Sequence, residues 1–190
     1  MKILIVALPD EFKLPVPNGW QIVYSGVGKV NAAIATISAI RDFNPTMLVN
    51  YGTVGSLNNS LTGIHEVGSF CQRDMDTRPK SPRGVTPFSN DDFYISNGNG
   101  NIRCGTGDSF VTGRDDWLVE HCDVVDMEGY SIVKSAIRYN IPWRSFKYVT
   151  DFTSPTGFED WQANVANGQK DFLKILETIN ANFNIRQHSI

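Results

Sequence analysis

Several things are scarce in this sequence, and each scarcity excludes a kind of protein. Its 190 residues hold only three cysteines, Cys71, Cys104 and Cys122, with no CxxC pair. Their odd number and wide spacing argue against a disulfide framework or a zinc site and point to a reducing, cytoplasmic setting. Neither sign of charge dominates: 17 basic against 20 acidic residues give a formal charge of -3 and a pI near 5.6, which speaks against a nucleic-acid surface. Long apolar runs are missing as well. The opening run Ile3 to Leu8 gives way at once to Pro9-Asp10-Glu11, too short for a membrane span and without a signal peptide's cleavage region. The full dinucleotide fingerprint and the Walker pattern are absent too, so neither a nicotinamide cofactor nor ATP follows.

What remains is an ordinary globular composition, 41% apolar and 19% charged, in a length that buries a sizeable core. One domain over residues 1–190 is expected, with a small molecule as partner. Lys2 to Leu8 reads as a strand covered on both faces and ended by Pro9. Gln21 to Tyr24 is a second short strand entering Ser25-Gly26-Val27-Gly28-Lys29-Val30. A helix follows, with Val30, Ala33, Ile34, Ile37 and Ile40 at helical spacing and Asn44-Pro45 as its stop. The amides of that turn would favour an oxygen-rich ligand. Thr46 to Tyr51 is another buried strand, and Gly52-Thr53-Val54-Gly55-Ser56 reads as a second glycine turn. Ile64 to Phe70 is a strand, and the Pro/Gly/Ser/Asn-rich course to Gly100 is the longest irregular segment. Arg73, Arg78 and Arg83 in it are candidates for binding an anion, but a solvated loop balanced by Asp74 and Asp76 explains them equally well.

The most informative stretch is Val124-Val125-Asp126-Met127-Glu128-Gly129, an apolar strand running into acid, followed by a helix that stops near Asn140 and Pro142. Glu128 falls in that helix's first turn, where the dipole alone would favour a carboxylate. Ser145 to Val149 is the last strand, with Thr150 and Asp151 following it. Trp161, Phe172, Ile175, Leu176, Ile179 and Phe183 then form one amphipathic helix over the sheet. Strand ends in an α/β sheet converge on one crevice, so Glu128 and Asp151 are expected to face one ligand. Two carboxylates in one cleft point to acid–base chemistry on a sugar or nucleoside.

Five segments in order, from Ser25 to Asp151, carry a family resemblance. SGVGKVNAA is similar to SGIGKVNAA, VNYGTVGSL to VNxGSAGGL, TGDSFV to SGDxFI, DMEG to EMEA, and VTDFTS to ISD. All are patterns of the nucleoside phosphorylase and nucleosidase superfamily, above all of the 5′-methylthioadenosine/S-adenosylhomocysteine nucleosidases. The resemblance implies a three-layer αβα domain with a central mixed, largely parallel sheet, trimmed between Phe12 and Trp20 where the family runs longer.

It also implies roles. Asp151 would be the general acid at the purine, beside Thr150, and Glu11 the group that activates water, with Asp10 as the alternative in the trimmed register. Glu128 would hold the ribose hydroxyls and Met127 would pack on the sugar. Phe110 and Val111 would line the base, Val111 through its backbone. Ser25, Gly52 and Lys147 fall on further pocket positions, Lys147 where the compared nucleosidases carry Arg, which keeps the charge but loses the bidentate fork. The implied reaction is hydrolysis of a purine nucleoside's N-glycosidic bond without a cofactor, in a homodimer, with no membrane and no nucleic acid involved. Phosphorolysis, with phosphate as co-substrate, is the alternative, and a non-catalytic nucleoside-binding protein the less favoured one.

Overall fold

The computed structural model describes residues 1–58 and 60–187, with side chains as far as residue 181. Eight strands form one sheet: β1 (Lys2–Val6), β2 (Trp20–Tyr24), β3 (Met47–Ser56), β4 (Gly63–Gln72), β5 (Ile95–Ser96), β6 (Ile102–Thr106), β7 (Val124–Asp126) and β8 (Trp143–Phe152). Five helices join them: α1 (Lys29–Phe43), α2 (Asp116–His121), α3 (Gly129–Arg138), α4 (Gly157–Asn164) and α5 (Gln169–Gln187). The pairs β1–β2, β1–β3, β3–β8, β4–β6 and β6–β7 are parallel, and β3–β7, β4–β5 and β4–β8 antiparallel. The expected mixed, largely parallel sheet is borne out. Because β3 pairs both β7 and β8, and β4 pairs both β6 and β8, strands β3-β8-β4-β6-β7 close into a ring.

Alternation along β1 divides the core. Ile3 and Ile5 pack with Ala32 and Ala39 of α1 and Ile132, Val133 and Ala136 of α3, whereas Leu4 and Val6 pack with Phe172, Leu176 and Ile179 of α5. These are the three expected layers.

Four local expectations are corrected. Gly52 to Ser56 is not a turn: β3 runs straight through it, because each residue from Leu48 to Ser56 finds a partner on β8. Asp151 does not follow β8 but lies within it. The C-terminal segment is two helices, since Trp161 belongs to α4 and the chain breaks before Gly168, where a Cβ would lie 2.4 Å from the Tyr51 hydroxyl. In α1 the apolar face is mostly outside. Val30 and Ile34 are 68% and 61% exposed, while Ala32, Thr36, Ala39 and Ile40 face the core. Small side chains allow α1 to approach α3 closely, and the larger ones point away. Phe183 falls beyond the described side chains.

Phe172 anchors the α5 layer. It is fully buried, stacked on Tyr51 at 4.1 Å and edge-on to Phe12 at 5.3 Å. Phe172→Ala is expected to cost about 3–5 kcal/mol, the usual range for deleting a buried aromatic ring. Urea unfolding followed by circular dichroism measures it, and a loss below about 1 kcal/mol would show that α5 does not depend on this contact.

Candidate active site

The carboxyl ends of β1, β3, β7 and β8 open on one cavity of about 230 Å³. Its wall includes Leu8 and Glu11 after β1, Thr53 and Gly55 on β3, Asp126, Met127 and Glu128 at the end of β7, and Asp151 on β8. Ser109, Phe110 and Val111 close it on one side, and Phe158 and Trp161 of α4 on another.

Backbone irregularity aims the acid of β8. Val54 pairs with Val149 but Gly55 with Asp151, so Thr150 is the extra residue of a bulge, a device that re-aims a side chain. Two glycines in β3 leave room for the result. A Cβ on Gly55 would come within 2.9 Å of Asp151 Oδ2, and one on Gly52 within 3.1 Å of Lys147 Nζ and 3.4 Å of Glu11 Oε1. Thr150 Oγ1 donates to Asp151 Oδ1 at 2.8 Å. Burial raises the pKa of Asp151 and the nearby Asp160 adds to this, outweighing the Thr150 bond.

Glu11 is buried and accepts three hydrogen bonds: Thr53 N at 2.9 Å and Thr53 Oγ1 at 2.7 Å on Oε1, and Leu8 N at 3.1 Å on Oε2. Asp10, the alternative in the same register, is exposed and does not line the cavity. Beneath the floor Lys147 Nζ meets Asp126 Oδ2 at 2.8 Å, with both side chains almost fully buried. Burial alone would push the Asp126 carboxyl up, but the Lys147 ammonium, with Thr106 Oγ1 at 2.6 Å and Gly129 N at 2.8 Å, holds it below the usual range. The lysine in turn is held above its ordinary value against its own desolvation, mainly by Asp126.

Glu128 sits at the N-cap position of α3 but makes no capping bond there. Its Oε1 instead accepts from Gly28 N, at 2.9 Å, at the start of α1. Burial first and the Asp126 charge second push its pKa up to about 7, against the opposing pull of Lys147 and the Gly28 bond. The carboxyl is therefore held by the α1 turn and not by a capping bond of its own helix. The next amide of the α1 turn, Lys29 N, donates to Asp108 Oδ1 at 2.7 Å. Amides that would suit an outside anion are already taken by the protein's own carboxylates.

Of the ten residues singled out in the sequence, Asp151, Glu11, Glu128, Met127, Phe110 and Val111 line the cavity. Ser25, Gly52, Lys147 and Thr150 do not: they stand behind its wall. The Ser25 hydroxyl donates to Gly26 O, Gly52 makes room, Lys147 serves Asp126 and Thr150 serves Asp151. Sequence reasoning missed three contributors. Asp126 carried a readable signal, a carboxylate at a strand end two residues before Glu128. Trp161 lay in a pattern that reads as core. Arg73, on the long loop, is buried against the cavity, with Nη2 donating to Gly107 O at 2.9 Å and to Ser109 O, and Nη1 to Ser109 Oγ at 3.1 Å. It fastens the turn that presents Phe110.

Comparison with known proteins bears on the family and the fold. The family model of the Phosphorylase superfamily matches residues 20–70. A 5′-methylthioadenosine/S-adenosylhomocysteine nucleosidase of Staphylococcus haemolyticus is 25% identical over 181 residues, covering 83% of this chain and 79% of its own. The nucleosidase of the same name from Colwellia psychrerythraea is 28% identical over 179 residues, covering 76% and 73%. Among solved structures, futalosine hydrolase of Helicobacter pylori superposes with a TM-score of 0.83 at 20% identity, covering 95% of this chain and 97% of that one. The Helicobacter pylori 5′-methylthioadenosine/S-adenosylhomocysteine nucleosidase with butyl-thio-DADMe-Immucillin-A gives 0.82 at 19% identity, covering 95% and 98%. The resemblance read from the five segments is thus borne out, and the structural matches establish the fold.

Glu128 gives a pH signature. Its folded pKa of about 7 lies above the ordinary 4.5, so the folded chain binds this proton more tightly than the unfolded chain. Its contribution to stability is full below pH ~4.5 and is lost as pH rises through ~7, a loss of about 3 kcal/mol by linkage. Glu128→Gln should remove that part of the slope. Chemical denaturation of both proteins across this range checks it, and identical pH slopes would contradict the burial argument.

Proposed function

We propose that this protein hydrolyses the N-glycosidic bond of a purine nucleoside of the 5′-methylthioadenosine/S-adenosylhomocysteine type and releases the free base. The observation that carries the reading is a single cavity holding two carboxyl groups in contrasting surroundings. Asp151 is pushed toward its protonated form by burial, and Glu11 is an acceptor fixed by three donors. Glycoside cleavage with inversion needs that division of labour, one group giving a proton and another taking one.

In this mechanism Asp151 protonates the purine as the C–N bond breaks, and Thr150 steadies its carboxyl. Positive charge develops on the sugar, and the acidic lining of the cavity favours it. Glu11 accepts a proton from the water that attacks the face opposite the departing base. Glu128 accepts from the ribose hydroxyls, Met127 packs on the sugar, and Phe110 and Val111 flank the base. The protons balance, since the one given to the base is replaced by the one taken from water. The reaction requires no cofactor.

Hydrolysis is favoured over phosphorolysis by the α1 turn. Gly28 N and Lys29 N donate to Glu128 and Asp108, so a phosphate there would meet two carboxylates. Arg73, the arginine best placed to clamp phosphate, is already bound to Gly107 and Ser109.

The assembly we favour is a homodimer in the cytoplasm. The exposed apolar face of α1, with Val30 and Ile34, adjoins Val27, which lines the cavity, and large exposed apolar patches mark interaction surfaces. No helix among the described residues is long and apolar enough to cross a membrane. The three free, buried thiols suit a reducing compartment. Light scattering at micromolar concentration is expected to return twice the chain mass of 21.2 kDa, and a single chain mass would refute the dimer.

Asp151→Asn tests the chemistry. Asn retains the shape and hydrogen-bonding capacity but has no proton to give, so turnover of 5′-methylthioadenosine should fall at least ~100-fold. Calorimetric affinity for the nucleoside should stay near that of the native protein. Glu128→Gln should instead weaken binding and rate together, because a neutral amide accepts the ribose hydroxyls less strongly. Native turnover in Asp151→Asn would remove Asp151 as the acid.

A further inference from the structure

α4 is eight residues long and meets the cavity wall and its backing at three points. A Cβ on Gly157 would lie 3.2 Å from Asp151 Oδ2, and Asn164 Nδ2 donates to Thr150 O at 2.9 Å. Between them, Trp161 Nε1 donates to Thr53 Oγ1 at 2.9 Å. That same hydroxyl donates to Glu11 Oε1 at 2.7 Å.

The direction of this chain is fixed by chemistry. An indole N–H only donates, and a threonine hydroxyl has one proton. Glu11 only accepts, so Thr53 gives it that one proton, and Trp161 holds the same hydroxyl from the other side. Each carboxylate oxygen accepts about two bonds. Oε1 is then filled by Thr53 N and Thr53 Oγ1, while Oε2 has one donor, Leu8 N. A single acceptor position is left, on Oε2. Glu11 lines the cavity, so that position decides where a water can be held.

We infer that Trp161 is a positioning residue: it steadies the Thr53 hydroxyl on Glu11 Oε1, keeps that oxygen filled, and so holds the attacking water to the open position on Oε2. The inference rests on the reading of Glu11 as the water-activating group. Packing alone does not require the indole nitrogen. Trp161 stacks on Phe158 at 5.9 Å, and Phe158 meets Phe110 edge-on at 5.9 Å, contacts that a phenylalanine would keep. Without the indole donor, the Thr53 hydroxyl keeps its bond to the carboxylate but is held less firmly, so Oε1 is open to water part of the time and the attacking water is less well placed.

The test is Trp161→Phe with 5′-methylthioadenosine as substrate. Its kcat should fall about tenfold, the scale of one lost supporting hydrogen bond, with KM within about twofold of native. In a Thr53→Val background, where Oε1 is already open, Trp161→Phe should change kcat no further. In a Thr53→Ser background, which keeps the hydroxyl, the loss should return. Should Trp161→Phe fold poorly, an amino acid bearing benzothiophene in place of indole keeps the shape and removes only the N–H, and the same loss is expected. An unchanged kcat in Trp161→Phe, or an equal loss in the Thr53→Val background, overturns the inference while leaving the hydrolase reading intact. A native protein that cleaves no purine nucleoside overturns that reading, and the inference with it.

Discussion

The site depends on one buried ion pair. Lys147 and Asp126 come from the two strands that flank β3 in the ring, β8 and the end of β7, and meet at 2.8 Å with almost no exposure. Such a pair adds little net stability, but removing one partner costs about 3–5 kcal/mol because the other charge stays buried. Its position matters more than its strength. Burial first raises Glu128's pKa, the Asp126 carboxylate adds to the rise and the Lys147 ammonium opposes it, so the pair tunes the state of a cavity-lining acid.

Ring closure brings these groups together. β3 pairs with β7 and β8 at once, so its glycines face side chains from both sides of the cavity: Gly52 admits Lys147 and Glu11, and Gly55 admits Asp151. A bulge at Thr150 then aims Asp151 inward. Placement and environment give the carboxyl groups different conditions, with burial raising Asp151 and Glu128 and an ammonium holding Asp126 down.

Much of this was legible in the sequence, where local signals and tertiary demands agree. β1, β4, β7 and α3 read correctly because their apolar runs and stops are local, and Asp151, Glu11 and Glu128 could be paired through strand ends and the family resemblance. The errors share a cause. Glycines in β3 look like a turn when read locally, but they are dictated by Lys147, Glu11 and Asp151, far away in sequence. The apolar stripe of α1 looks like a core face, but the core selects Ala32 and Ala39, because close packing on α3 favours small residues. Trp161 is tied by one hydrogen bond and Arg73 by three to partners distant in sequence, which no periodicity encodes.

In the proposed reaction, water held at Glu11 attacks the sugar while Asp151 protonates the base. The most direct measurement is to incubate the protein with 5′-methylthioadenosine in a buffer containing inorganic phosphate and identify the sugar product by nuclear magnetic resonance. The account predicts free 5-methylthioribose and adenine, at a rate that phosphate does not change. Accumulation of the sugar 1-phosphate would contradict it.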